Sequence, residues 1–252
     1  MPTLWYEVAP PKIIGSTLTE LEKSLTSLYS KVDSLRNVVD RVLVTSSVLG
    51  TPRLPSIFTA AYIKREIRDL WVGCSIRTSD YLLHQAFKTV SEAIIYQLDG
   101  VLLVYGDQPH YGSSYKNYPS LLLRIVRQFI RLNGGPKMYL SAPTQRNEKE
   151  IMKKLRSNPD GLITQIVTEA EQILWLRDLC RASNTELVAT LMAPTAKNIA
   201  SAEKVGLRWQ PDEAKTIELA RTLFKEGVNV LLTSPGSFKD GLEFARRVSV
   251  YK

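Results

Sequence analysis

Eight short apolar runs alternate with longer amphipathic stretches from one end of this chain to the other. Short runs rich in branched and aromatic residues predict buried strands, and apolar residues at helical spacing predict helices packed on them. The predicted strands are 4–9, 41–46, 71–77, 100–106, 137–142, 161–167, 186–192 and 228–233. The predicted helices are 18–35, 56–68, 80–98, 118–132, 148–157, 169–183, 195–204 with 212–226, and 238–248.

This repeated strand-then-helix order predicts the fold. The chain has 252 residues, 44% of them apolar, which is enough for one large core. Eight such units in one domain favour a closed parallel barrel over an open doubly wound sheet. We therefore expect an α/β fold, a single (β/α)8 TIM barrel over residues 1–252. Thr17 with Glu20 and Thr168 with Glu171 have capping-box spacing at two of the predicted helix starts.

Charge and composition narrow the possible partners. The formal net charge is +8, but the basic residues are spread over many helices without a nucleic-acid-reading motif, so most of them are expected on solvated helix faces. The remainder suits an anionic ligand such as a phosphate-bearing cofactor. No apolar stretch approaches the roughly 20 residues of a membrane span, and the N-terminus lacks a signal-peptide pattern. We expect a cytoplasmic protein with no nucleic-acid or membrane partner and no metal site.

A carboxylate near the end of the first predicted strand is the leading candidate for chemistry. Glu7 lies in an apolar run that ends at two prolines, and ionising a buried carboxylate is costly unless something uses the charge. In a barrel of this kind, active sites form where strands end. Thr45, Asp107 and Gln165 fall at the ends of strands two, four and six. Each alone has a structural explanation, but together they predict a site at one mouth of the barrel.

The same residues carry a resemblance to the methylenetetrahydrofolate reductase family. The order and spacing of several short motifs are similar over nearly the whole chain. They are Glu7-Val8-Ala9-Pro10-Pro11, Val44-Thr45, Gly106-Asp107 with Pro109, Ile163-Thr164-Gln165, Leu176-Arg177-Asp178-Leu179-Cys180, and Pro194.

This resemblance implies a flavoprotein in which FAD, reduced by NADH or NADPH, passes a hydride to the methylene group of a reduced folate or related pterin, giving the 5-methyl form. Glu7 would be the general acid that opens the substrate ring. Asp107 would act beside the flavin and the pterin, and Gln165 would bind the substrate. The resemblance places six residues at the cofactor: Thr45, Gly106, Asp107, Tyr118, Ser120 and Lys154. Gly106 would allow close approach of the backbone to the ring system.

Departures from the family pattern keep alternatives open. Tyr105 stands where the bacterial enzymes usually carry arginine, and Ala142 stands where a tyrosine often stacks on the cofactor. Direct hydride transfer from a nicotinamide without tightly bound FAD is therefore one alternative. A modified pterin substrate is another, because small or charged residues, approximately Ala200 and Lys204, stand where the family places a substrate glutamine and a pterin-stacking aromatic.

Other function classes also remain. A pterin-binding TIM-barrel methyltransferase, or a methyltransferase-associated protein without redox chemistry, would have little need for an acid such as Glu7. A non-catalytic interaction protein would give no reason for polar residues at the strand ends. The sequence leaves open whether the protein forms a homo-oligomer or works with a partner subunit, and whether it prefers NADH or NADPH.

Overall fold

Eight parallel strands close into a barrel in the computed structural model, which describes residues 1–46, 51–107 and 114–252. Each strand pairs with its neighbours in chain order, and β1 pairs with β8 to close the sheet. The strands are β1 (Leu4–Val8), β2 (Arg41–Val44), β3 (Trp71–Arg77), β4 (Gly100–Val104), β5 (Lys137–Ala142), β6 (Gly161–Ile166), β7 (Glu186–Met192) and β8 (Asn229–Thr233). The (β/α)8 TIM barrel expected from the sequence is confirmed. Pro109 lies outside the described residues.

The helices pack around this barrel because each places an apolar stripe on the sheet. They are α1 (Leu18–Asp33), α2 (Ser56–Glu66), α3 (Leu83–Ile95), α4 (Pro119–Leu132), α5 (Glu148–Leu155), α6 (Glu171–Ala182), α7 (Ile199–Lys204), α8 (Glu213–Lys225) and α9 (Phe238–Ser249). In the described ranges, no helix combines the length and the apolar character needed to cross a membrane.

Of the two predicted capping boxes, one is confirmed and one is wrong. Thr17 and Glu20 form the reciprocal pair at the start of α1. At α6 the helix begins later than predicted, at Glu171, and Ala170 is its N-cap without a side-chain hydrogen bond. The amide of Thr168 donates instead to Oε1 of Gln172, at 2.9 Å. The side chain of Gln172, one position beyond Glu171, therefore satisfies the Thr168 amide that the predicted box would have served.

Aromatic side chains fill the barrel interior towards the amino ends of the strands. The ring centroids of Trp5 and Trp71 are 4.9 Å apart, and the Tyr139 ring meets Trp5 edge-on at 5.4 Å. The guanidinium carbon of Arg41 lies 4.8 Å from the Trp5 centroid and 5.1 Å from that of Trp71, and its Nη1 pairs with Glu186 at 3.0 Å. This end of the interior is occupied by protein, which leaves the carboxyl ends of the strands for a ligand.

Two glycines make room for these rings. A Cβ added at position 100 would lie 2.4 Å from Cη2 of Trp71, and one added at position 161 would lie 2.5 Å from Cε1 of Tyr139. Neither position has a positive φ, so the glycines are needed for space and not for backbone conformation.

Candidate active site

Glu7 lies at the end of β1, at the mouth formed by the carboxyl ends of the strands. Trp5, two residues earlier, packs in the barrel interior, and alternation along the strand turns Glu7 to the same side. The side chain is partly exposed, and its Oε1 accepts a hydrogen bond of 2.8 Å from the hydroxyl of Thr233 at the end of β8. Desolvation raises the pKa of the Glu7 carboxyl, and the Thr233 hydrogen bond opposes that rise. A carboxyl in this state holds a proton above its ordinary pH range while remaining reachable from the mouth.

A second hydroxyl at the same mouth is buried without a partner. Thr45 follows β2, its residue is more than nine-tenths buried, and its Oγ1 has no hydrogen-bond partner within the part of the chain that the structure describes. The neighbouring hydroxyl of Ser75 instead serves the fold, because it accepts from the amide of Ser46 at 2.7 Å. Buried polar atoms are nearly always paired, so the Thr45 hydroxyl is a candidate for contact with a ligand.

The segment carrying Asp107 is tied to the end of β3. Arg77 is almost fully buried, pairs with Asp80 at 3.1 Å through its Nε, and donates from Nη2 to the main-chain oxygen of Asp107. Asp107 itself is exposed at the end of β4. Gly106 has a φ of +93°, and a Cβ there would lie 2.7 Å from Nε of Arg77. The Arg77 side chain thus occupies the space beside Gly106, where the family resemblance implied a bound ring system.

Gln165 lies beside an irregularity near the end of β6. The register with β7 shifts between Ile163 and Ile166. At this shift, the hydroxyls of Thr164 and Thr190 form hydrogen bonds that link the two strands. The Thr190 amide donates to Oγ1 of Thr164 at 3.1 Å, and the Thr190 hydroxyl donates to the Thr164 carbonyl at 2.8 Å. Gln165 is left exposed at the strand end. Bulges of this kind often redirect a side chain beside an active site.

The start of α4 contributes an exposed aromatic surface next to β4. Tyr118 is the N-cap of α4, and its ring stacks on that of Tyr105 with centroids 6.0 Å apart and an interplanar angle of 25°. Both rings are exposed in part, and Nζ of Lys153 lies 5.7 Å from the Tyr118 centroid. Ser120, the second residue of α4, is partly buried.

Lys154 has partners within the protein. Its Nζ donates to the carbonyl of Ser141 at 2.7 Å and pairs with Glu150 at 2.8 Å, so the ammonium secures α5 to the end of β5. The cation that faces the aromatic surface is the preceding residue, Lys153. The phosphate contact that the resemblance implied for Lys154 would require these two bonds to be exchanged for the ligand.

The closed sheet places Glu7, Thr45, Asp107 and Gln165 at the ends of β1, β2, β4 and β6 around one mouth. Sequence reasoning missed Thr233, although it ends the eighth predicted strand and extending the search for polar strand ends to that strand would have found it. It named Tyr118 at the cofactor and Tyr105 as a departure from the family pattern, but it did not predict that the two rings stack, because no local pattern signals that contact.

Comparison with known proteins supports the fold. No family model matches the chain, and no curated protein matches it in sequence. Two solved structures of tryptophan synthase complexes from Pyrococcus furiosus contain a similar chain. One, of the a2b2 complex, has a TM-score of 0.59 and 12% identity, covering 99% of this chain and 96% of that one. The other has a TM-score of 0.58 at the same identity and coverage. At this identity the likeness concerns the barrel alone.

Proposed function

We propose that this protein is a flavin-dependent, methylenetetrahydrofolate reductase-like oxidoreductase that uses NADH or NADPH and acts on a reduced folate or related pterin. The observation that carries the proposal is Glu7, a carboxyl at the barrel mouth whose pKa is raised by desolvation and whose oxygen is oriented by Thr233. An acid with these properties suits a reaction in which a carbon–nitrogen bond of the substrate opens as the nitrogen takes up a proton.

Glu7 would hold that proton at a carboxyl oxygen and give it to the leaving nitrogen of the methylene bridge. The Thr233 hydroxyl would keep the carboxyl directed across the mouth during this transfer. Asp107, exposed on the far side of the mouth, would favour the cationic form of the opened substrate through its negative charge. The exposed amide of Gln165 offers both a donor and an acceptor to the polar edge of a pterin.

The residues of the mouth fit a flavin in two respects. The partnerless buried hydroxyl of Thr45 offers a hydrogen bond to a polar ring edge, and the exposed Tyr105 and Tyr118 rings offer a flat apolar surface near Asp107. Ser120 and the first turn of α4 lie beside that surface. A bound flavin would supply the hydride that no side chain can supply.

The test of this function begins with the visible spectrum of the purified protein. A flavin absorption band that bleaches on anaerobic addition of NADH or NADPH and recovers on addition of methylenetetrahydrofolate is the expected result. Absence of flavin, together with failure to bind added FAD, contradicts the flavin proposal. Binding of the pterin without any redox change favours the methyltransferase class instead.

Glu7→Gln separates the two half-reactions. Loss of a general acid lowers the rate of folate reduction by about 100-fold or more, while flavin reduction by the nicotinamide is expected to persist because it needs no proton from Glu7. Glu20→Gln, at an exposed carboxylate on α1, is the matched control and should change neither rate. Equal loss of both half-reactions in Glu7→Gln would argue against the assigned role.

Thr233→Val tests the coupling between the two side chains. The hydroxyl stabilises the ionised form of Glu7, so its removal raises the pKa of the carboxyl further. The alkaline limb of kcat/KM for folate reduction, where the acid loses its proton, should move to higher pH. A limb that stays in place while the rate falls would assign Thr233 a role in substrate contact rather than in positioning Glu7.

A further inference from the structure

We propose that a pocket beside the end of β1, outside the barrel mouth, binds a phosphate-class oxyanion. The pocket has a volume of about 350 Å³ and lies between the segment that follows β1, one face of α1 and the chain that leads into α2. Six of its lining residues carry the inference: Pro10, Lys23, Ser24, Ser27, Lys31 and Arg53. The site is independent of the proposed reductase activity.

The positive charge of this pocket is not compensated by protein carboxylates. Lys23, Lys31 and Arg53 form no ion pair within residues 1–46, 51–107 and 114–252. The remaining residues, 47–50 and 108–113, contain no aspartate or glutamate and cannot supply a counter-charge. Three like charges gathered around one small volume repel one another, and an anion between them removes that repulsion.

Arg53 is held in a manner that suits an anion. Its Nη1 donates to the carbonyl of Pro10 at 2.6 Å, which fixes the guanidinium against the segment after β1. Its Nε is buried without a hydrogen-bond partner within the described ranges, and desolvation lowers the pKa of the side chain. A partly desolvated guanidinium without a counter-ion is costly, so negative charge in the pocket would stabilise this arrangement.

A second pocket shows that uncompensated charge is not a general feature of this surface. It has a volume of about 640 Å³ near the amino ends of the strands, and its lining includes four basic residues. Its lining also includes Asp160 and Glu186. Arg127 donates two hydrogen bonds, of 2.7 and 2.9 Å, to the carboxylate of Asp160. The larger pocket is therefore partly neutralised, and the smaller one beside β1 is the better anion site.

The donor set favours phosphate over a single carboxylate. Two ammonium groups, one guanidinium and the hydroxyls of Ser24 and Ser27 provide more donors than one carboxylate can accept, and phosphate offers more oxygens and a second charge. The phosphate could be free, or it could belong to a larger ligand. Pro10 is only three residues beyond Glu7, so a chain segment of at most roughly 11 Å separates this wall of the pocket from the mouth.

The test is a calorimetric titration of the intact protein with inorganic phosphate and, separately, with ADP at low ionic strength. We expect saturable binding with one site per chain for at least one of the two probes. Tighter binding of ADP would assign the site to a phosphate ester, and equal or tighter binding of inorganic phosphate would assign it to the free ion; both results support the proposal. Absence of saturable binding of either probe would overturn it.

Variants of α1 tie the binding to this pocket. Lys23 is exposed, so its replacement should leave folding intact, which circular dichroism and the Tm verify. Lys23→Ala should weaken binding about tenfold, the loss expected for one charge-assisted contact, and Lys23→Glu should abolish it. Lys225→Ala, at an exposed lysine in the last turn of α8, removes the same charge elsewhere and should leave affinity unchanged. Equal affinity of the wild type and Lys23→Glu would refute the assignment.

Discussion

Gly100→Ala should destabilise the protein through a specific collision inside the barrel. The added Cβ would lie 2.4 Å from two atoms of the Trp71 indole, Cη2 and Cζ2. The indole cannot swing away freely, because it packs against Trp5 at 4.9 Å and Tyr139 at 6.2 Å and has Arg41 over its face. Overpacking of a core costs about 1–3 kcal/mol, and the rigid surroundings place this case in the upper half of that range, about 2–3 kcal/mol.

For a domain of this size, such a loss corresponds to a fall in Tm of roughly 4–12 °C, measurable by calorimetry or by circular dichroism. The assay becomes decisive when Gly100→Ala is combined with Trp71→Phe. Phenylalanine lacks the two indole atoms that meet the new methyl group, so the methyl fills part of the cavity that the single Trp71→Phe change would leave. The double variant should lose less stability than the sum of the two single variants, by about 1 kcal/mol or more.

Gly15→Ala is the control for this cycle. Gly15 has a φ of +80° and no atom within 4 Å of an added Cβ, so its replacement strains the backbone without touching Trp71. Its combination with Trp71→Phe should be additive within about 0.5 kcal/mol. If Gly100→Ala and Trp71→Phe were additive to the same degree, the collision would not be the cause of the glycine requirement.

Two further predictions concern ionisable side chains: the Glu7 carboxyl and the arginines of two ion pairs. Folding raises the pKa of the Glu7 carboxyl above its unfolded value of about 4.3. The contribution of the neutral carboxyl to the free energy of unfolding is therefore fully present below the unfolded pKa and is lost as the pH rises through the folded pKa. Glu7→Gln should therefore match the wild-type Tm at about pH 4 and exceed it at about pH 8; a constant difference would contradict the assigned burial cost. Arg41→Met leaves the partly buried Glu186 without its closest cation and should lower the free energy of unfolding, measured by chemical denaturation, by about 3 kcal/mol. Arg36→Met removes an exposed pair with Asp69 and should lower it by less than about 1 kcal/mol. An equal loss of stability in the two arginine variants would show that burial does not determine how much these ion pairs stabilise the fold.

The strands and helices of this protein could be predicted from local sequence patterns. The spacing of apolar residues along an element depends only on which of its faces packs against the core. The bounds of β3, β5 and β7 agree with the sequence prediction at every residue, and the other strands differ by one or two residues at an end. The same periodicity, combined with the rule that parallel-barrel sites form at strand ends, identified Glu7, Thr45, Asp107 and Gln165 as neighbours of one mouth.

The tertiary structure alone decided which groups meet. Thr233 bonds to Glu7 across 226 residues of sequence because β1 pairs with β8. The eight-unit repeat predicts that the sheet closes, but the register that brings these two side chains together exists only in the closed sheet. Gly100 is a glycine because a tryptophan from the neighbouring strand occupies its side-chain space. Lys153 and Lys154 look equivalent in sequence, but helix geometry directs one to Tyr118 and the other to the Ser141 carbonyl. The spacing of apolar residues in the sequence determines which face of a strand or helix a residue occupies. The residue that it contacts on that face depends on the register and the closure of the whole sheet.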